Sequence, residues 1–231
     1  MFQEPRALGS AWVVEDGMTP EPREKSKHPP LPPETNDIYR KLEERAIAES
    51  NELNRTVTQC HLCERGDFLP TVGSGHPLAD IFMVKYGPRY LEVSEGVSFF
   101  GRSGAAVLKS VERLGIDPLL LYGTNMVKCV GVETGEGETN CPGYLLEELQ
   151  VTQPKIVVIM GRRALEVLNV NRTATMREVE WAPGELQDLT PTCRALVTPD
   201  VDDALDDADE KRAFWNAFRT LGDWHRDEPP Y

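Results

Sequence analysis

The sequence predicts an α/β three-layer sandwich, a central four-stranded, mostly parallel sheet flanked by helices. Three observations predict it. Short apolar runs alternate with amphipathic stretches along residues 79–224. The run "KIVVIMG" (155–161) is continuously apolar, as a strand covered on both faces should be. The stretch "FMVKYGPRYL" (82–91) reads as a strand that stops at a turn, and such strand ends are where open α/β sheets carry their ligand sites.

The elements follow in order. Residues 1–35, rich in Pro, Glu and Lys, read as a flexible or polyproline-like tail. A helix is expected from Asp37 to Val57, with Asn36 as its cap. After "CHLC" and a loop through "GSGHP" comes the strand "ADIFMVK" (79–85). "GRSGAAVLKSVERLG" (101–115) is helical, with Val107, Leu108, Val111 and Leu114 as the buried stripe and Gly115 as the stop. "PLLLYG" (118–123) is a strand that delivers Thr124 and Asn125 to a loop. A helix over 141–153 ends before Pro154, and "RRALEVLN" is a short helix after the 155–161 strand. Residues 171–190 read as irregular, "RALVT" (194–198) as the last strand, and "DEKRAFWNAFRTLGDW" as a closing helix that buries Phe214, Trp215, Phe218 and Leu221. One domain is expected over 36–225, with a tail at 226–231.

The chain has 231 residues, 40% apolar, and a net charge of −13. It has no run of about 18 apolar residues and no signal-peptide core. A cytoplasmic protein, of a bacterium or a virus-infected host cell, is the expectation. The acidity argues against a general nucleic-acid grip. Much of it is concentrated in "DVDDALDDADE" (200–210), which offers a surface to a basic protein partner. The middle carries Lys85, Arg89, Arg102, Lys109, Arg113, Lys128, Arg162 and Arg163, either a local basic face or ordinary solvated helix charges.

There are five cysteines. Cys60 and Cys63 form a C-x2-C clip, and Cys129 and Cys141 could complete a four-thiolate set. Spacing alone allows tetrahedral zinc or a cubane iron–sulfur cluster. Cys193 reads as a buried thiol.

Together "CHLC", "GSGHPLADIFMVKYGP", "EGVSFFGRSGAAVLKSVERLGI", "LYGTNMVKC" and "CPGYLLEELQVTQPKIVVIMGRRALEVL" resemble the family 4, iron–sulfur uracil-DNA glycosylases. The likeness runs from Cys60 to Leu168 and continues weakly to Trp224. It implies a [4Fe–4S] cluster on Cys60, Cys63, Cys129 and Cys141, with zinc as the alternative. It implies single- or double-stranded DNA, or a nucleotide, as partner, and extrusion of a base into a pocket. Phe99 falls on the family's base-stacking phenylalanine and Asn125 on its uracil-reading asparagine. Taken alone, Phe99 also reads as core packing and Asn125 as a loop-capping amide. Gly87 and Pro88 keep the backbone signature of the family's first motif, Gly-Glu-(Ala or Gly)-Pro-Gly.

Two departures stand out. Lys85, Tyr86 and Arg89 replace the glycine, the glutamate and the last glycine of that motif. Thr198-Pro199-Asp200 stands where the family has His-Pro-Ser. Lys85, Tyr86, Thr198 and Asp200 are therefore the candidate catalytic positions, and ordinary uracil excision is expected to be weak or absent. Two functions fit: a glycosylase acting on uracil or a modified pyrimidine, or a non-catalytic binding protein on the same scaffold.

Overall fold

The computed structural model describes residues 33–65, 68–130 and 134–227. The expected tail over residues 1–35 lies outside them except at its end, and so does most of the tail at 226–231. The first helix, α1 (Pro33–Thr58), takes in residues 33–35, so Asn36 lies inside the helix and does not cap it.

Four parallel strands form the centre, β2 (Ile81–Lys85), β3 (Leu121–Asn125), β4 (Ile156–Met160) and β6 (Cys193–Thr198). Each edge carries one antiparallel strand, β1 (Ser74–Gly75) against β3 and β5 (Leu186–Thr190) against β6. The order is β1-β3-β2-β4-β6-β5. The sheet thus has two more strands than the four expected, and residues 186–190 are not irregular. The third strand starts at Leu121 rather than at Pro118, because Pro118–Leu120 form a 3-10 turn capped by the Asp117 carboxylate. Thr124 and Asn125 are consequently the last residues of β3 and not part of a loop.

Alternation of side chains along each strand divides the core in two. Phe82, Val84, Tyr122, Val157, Ile159, Ala195 and Val197 pack with Leu145 of α5 (Pro142–Thr152) and with Ala164, Leu165, Val167 and Leu168 of α6 (Arg162–Asn171). Ile81, Met83, Leu121, Ile156, Val158, Met160 and Leu196 pack with α3 (Arg102–Arg113) through Val107 and Val111. The same face is covered by Phe214, Phe218, Leu221 and Trp224 of α7 (Ala208–Asp227). Both sheet faces are covered, which is why β4 is buried at every position. The expected α3 stripe holds at Val107 and Val111, while Leu108 is 45% exposed. Trp215 packs at the edge of this core, only partly buried, under the Arg113 guanidinium.

Two short helices complete the chain, α2 (Tyr90–Glu95) after the 85–89 turn and α4 (Thr134–Asn140) before α5. Among the described residues, no helix is long and apolar enough to cross a membrane.

Candidate base-binding site and cysteine cage

The strand register builds the site. Lys85 pairs with Asn125 and with Met160, and Met160 pairs with Thr198. The last residues of the four parallel strands therefore form one row at the carboxyl end of the sheet. In-register residues of parallel neighbours share a face, here the one covered by α3 and α7. All four are buried. Phe99 packs against the same side. Its ring lies over β3, where a Cβ on Gly123 would stand 2.7 Å from Phe99 Cδ2. Gly123→Ala is therefore expected to push the ring aside and to destabilise the fold by about 1–3 kcal/mol, read by thermal denaturation. An unchanged melting temperature would contradict it.

Phe99 has φ 60°, a left-handed conformation that costs a bulky residue about 1–3 kcal/mol. Glu92 of α2 holds it there. Glu92 Oε1 accepts the Phe99 backbone N–H. Its Oε2 accepts from Lys85 Nζ at 2.6 Å and from the Arg89 backbone N–H at 2.7 Å.

Lys85 is wholly buried, with Nζ 5.8 Å from the centre of the Phe99 ring. Its three protons go to Glu92 Oε2, to Asp202 Oδ2 (2.9 Å) and to the Gly87 carbonyl (2.9 Å). Arg89 Nε also reaches Asp202 Oδ2, at 3.1 Å. Two cations and two carboxylates thus tie the loop after β2, α2 and the loop after β6. Pro88 is buried within this loop, and a Cβ on Gly87 would find its nearest neighbour, the Val127 carbonyl, 4.0 Å away.

Tyr86 is not part of this group. One residue after Lys85, it packs against the opposite core. Its hydroxyl donates to Glu138 Oε1 at 2.8 Å, and Arg163 pairs with the same carboxylate. Burial, then the bond to Glu138, raises its pKa. Thr198 is buried at the end of β6, and its hydroxyl donates to the Pro199 carbonyl (2.9 Å). Asp200 accepts the Asp202 backbone N–H (2.8 Å), and burial raises its pKa. Its carboxylate lies against Gly161, where a Cβ would stand 2.9 Å from Oδ2. Of the four candidate catalytic residues, Lys85 and Thr198 share the row, Asp200 flanks it, and Tyr86 faces away. Sequence reasoning missed Glu92 and Asp202. A fully buried lysine at a strand end demands carboxylates nearby, and that was the available signal.

Asn125 is buried between Thr71 and Ser98. Its Nδ2 donates to Thr71 Oγ1 (3.1 Å) and Ser98 Oγ (3.0 Å). Its Oδ1 is buried and receives no hydrogen bond. A buried carbonyl without a donor costs about 1–3 kcal/mol, so a ligand N–H there would be favoured.

On the other face, Lys128 Nζ meets Glu148 Oε2 at 2.7 Å and Thr124 Oγ1 at 2.5 Å, both buried. Beside this pair lie the cysteines. Cys129 and Cys141 are buried, Cys60 and Cys63 half-buried, and none is in a disulfide. Burial, then Cys141, pushes the Cys129 thiol up to about 12, with Cys60 and Cys63 adding to the shift. Burial also raises Cys141, and Cys63 and Cys60 raise it further. Cys129 and Cys141 thus each feel the other cysteines, which places the four thiols at the same end of the molecule. The Lys128 backbone N–H donates to Cys141 Sγ (3.4 Å) and works against that rise, and Asn140 Nδ2 donates to Cys63 Sγ (3.3 Å). Among the described residues, no three His, Cys, Asp or Glu side chains converge tightly enough for a single metal ion. Cys193 lies apart, its thiol pushed up to about 12 by burial.

Residues 72–220 match the family described as the uracil DNA glycosylase superfamily. The chain belongs to that superfamily. The row at the sheet's carboxyl end and Phe99 lie within the matched region. Curated relatives are named type-4 uracil-DNA glycosylases. One from Sulfurisphaera tokodaii is 29% identical over 124 residues, 51% of this chain and 56% of the relative. One from Archaeoglobus fulgidus is 25% identical over 51% of this chain and 62% of the relative. One from Saccharolobus solfataricus is 27% identical over 56% of this chain and 63% of the relative. The superfamily is thus matched over most of the folded region, while these relatives match about half of the chain.

Proposed function

We propose that this protein binds a nucleobase of DNA at the carboxyl end of its sheet and removes ordinary uracil slowly or not at all. The observation that carries it is the buried, unpaired Oδ1 of Asn125 beside the row that ends in Lys85 and Thr198. Phe99 supplies the stacking surface and Asn125 reads the base edge. Cys60, Cys63, Cys129 and Cys141 would hold a [4Fe–4S] cluster. Four cysteines suit tetrahedral zinc or a cubane cluster, and the likeness to the type-4 uracil-DNA glycosylases favours the cluster. When bound, the cluster would supply structural cross-linking and no base chemistry.

The slow excision follows from where the protons are. Breaking the glycosidic bond leaves negative charge on the base, and donors aimed at it lower the barrier. Lys85 has no proton to give, since Glu92, Asp202 and Gly87 take all three. Thr198 gives its proton to Pro199. Asp200 adds a carboxyl group where a donor is needed. Each missing donor costs about 10²–10³-fold in rate.

The test is a screen of the cluster-loaded protein against single- and double-stranded oligonucleotides carrying uracil or modified pyrimidines, scored for both binding and cleavage. Binding is expected to persist, with uracil release at least about 10²-fold slower than from a type-4 relative assayed alongside. Uracil release at the relative's rate would refute the proposal. Efficient release of a modified pyrimidine would establish instead a glycosylase with a rebuilt pocket.

A further inference from the structure

The neighbours of Asn125 fix which way its amide faces. Thr71 has one hydroxyl proton and gives it to the Lys128 carbonyl at 3.1 Å. The same carbonyl takes the Thr71 backbone N–H at 2.7 Å. With its proton placed there, Thr71 Oγ1 accepts, and the atom 3.1 Å away is the Asn125 amide nitrogen. The reversed amide would require Thr71 to turn its hydroxyl proton away from the Lys128 carbonyl. The second amide proton goes to Ser98 Oγ. Both protons are committed inside the protein, and Asn125 presents to a ligand an acceptor alone.

This has a consequence for which base is read. Uracil offers an acceptor at O4 next to a donor at N3–H. Cytosine offers the reverse, a donor at N4 next to an acceptor at N3. An asparagine that both gives and accepts matches uracil and refuses cytosine. One that only accepts can make a single hydrogen bond with either, to N3–H of uracil or N4–H of cytosine. In both cases one acceptor of the base is left unmatched, so the penalties are alike. We infer that Thr71 and Ser98, acting through Asn125, make this a site for donor-edged pyrimidines that takes 4-oxo and 4-amino bases without preference. Thr71 and Ser98 are positioning residues, and the inference rests on the base-binding reading above.

The experiment compares duplexes carrying a single 2′-fluoro-2′-deoxyuridine or 2′-fluoro-2′-deoxycytidine opposite an abasic site, both resistant to glycosidic cleavage. Affinity is read by fluorescence anisotropy at fixed salt, with a fully paired duplex as reference. The two probes are expected to bind the wild type within about threefold of each other. Only the amide proton on the same side as Oδ1 can join it in a two-point contact with uracil, and Thr71→Val and Ser98→Ala each free one of the two protons. The variant that frees the Oδ1-side proton is expected to shift the ratio about tenfold toward the uracil probe, the worth of one hydrogen bond, and the other to leave it unchanged. Thr71→Ala replaces the valine variant if that does not fold. A tenfold or greater preference for uracil in the wild type overturns the inference and leaves base binding standing. Equal binding that neither variant shifts also overturns it. If neither probe binds better than the paired duplex, the base-binding reading itself fails, and this inference with it.

Discussion

Replacing Lys85 by methionine is expected to lower the unfolding free energy by about 3–5 kcal/mol, seen as a lower urea midpoint with an unchanged slope. Methionine fills nearly the same length, so lost volume is a small part of the effect. What changes is that Glu92 and Asp202 lose their shared cation. Their side chains are 0% and 8% exposed and cannot turn to water. Removing one partner of a buried pair leaves an uncompensated charge, whereas neutralising the whole group can be nearly free. The triple variant Lys85→Met, Glu92→Gln, Asp202→Asn should therefore recover most of the loss. Arg89 makes the contrast: its side chain is 61% exposed, and Arg89→Ala should cost less than about 1 kcal/mol. A Lys85→Met loss below about 1 kcal/mol would mean that the group does not hold the loops together. The same geometry bears on function. On the proposed reading, a lysine whose hydrogen bonds all go to Glu92, Asp202 and Gly87 is a beam across the site and not a proton donor to a departing base.

The parallel strands were legible because their apolar runs are bounded by turn residues and flanked by helical periodicity. The edge strands were not. β5 reads LQDLT and buries only Leu189 fully, so it has no continuous apolar signal, and β1 is two residues long. α4, with sequence TGEGETN, carries two glycines, which oppose helix in any propensity argument, and it forms next to the cysteine cage. In the site, the motif positions named Lys85, Tyr86, Thr198 and Asp200 together with Asn125, and strand register brings Lys85, Asn125 and Thr198 into one row. The same period of two could have shown that Lys85 and Tyr86 cannot face one pocket. Glu92 and Asp202 were hidden among many acidic residues, since burial distinguishes them and composition does not. Thr71 lies outside the quoted motifs, and Ser98 lies within one of them with no role assigned to it. Their role exists only once β3 and the loops at 71 and 98 lie side by side.

Cys141→Ser is expected to abolish stable iron incorporation and to lower the apparent melting temperature by about 10 °C, corresponding to about 3–5 kcal/mol of structural cross-linking in a chain of this size. The size of the effect follows from what the four cysteines join. Cys60 and Cys63 follow the end of α1, Cys129 lies four residues beyond β3, and Cys141 is the residue from which α5 starts. The α1 helix packs on α5, so a cluster at their junction with the sheet would fix the angle between three elements. Cys141 is also linked through the Lys128 backbone N–H to the buried Lys128–Glu148 pair. Loss of the cage should therefore loosen the carbonyl of Lys128, which holds Thr71 and through it Asn125. The readouts are iron and acid-labile sulfide per chain, absorbance near 400 nm, and the melting curve. Cys193→Ala is the matched control: that thiol sits in the core at the start of β6, away from the cage, and its removal should leave the iron content unchanged. Full iron in the Cys141 variant, or equal loss of iron in the Cys193 variant, would refute the four-cysteine assignment. Zinc in place of iron and sulfide in the wild type would refute the cluster while sparing the cage.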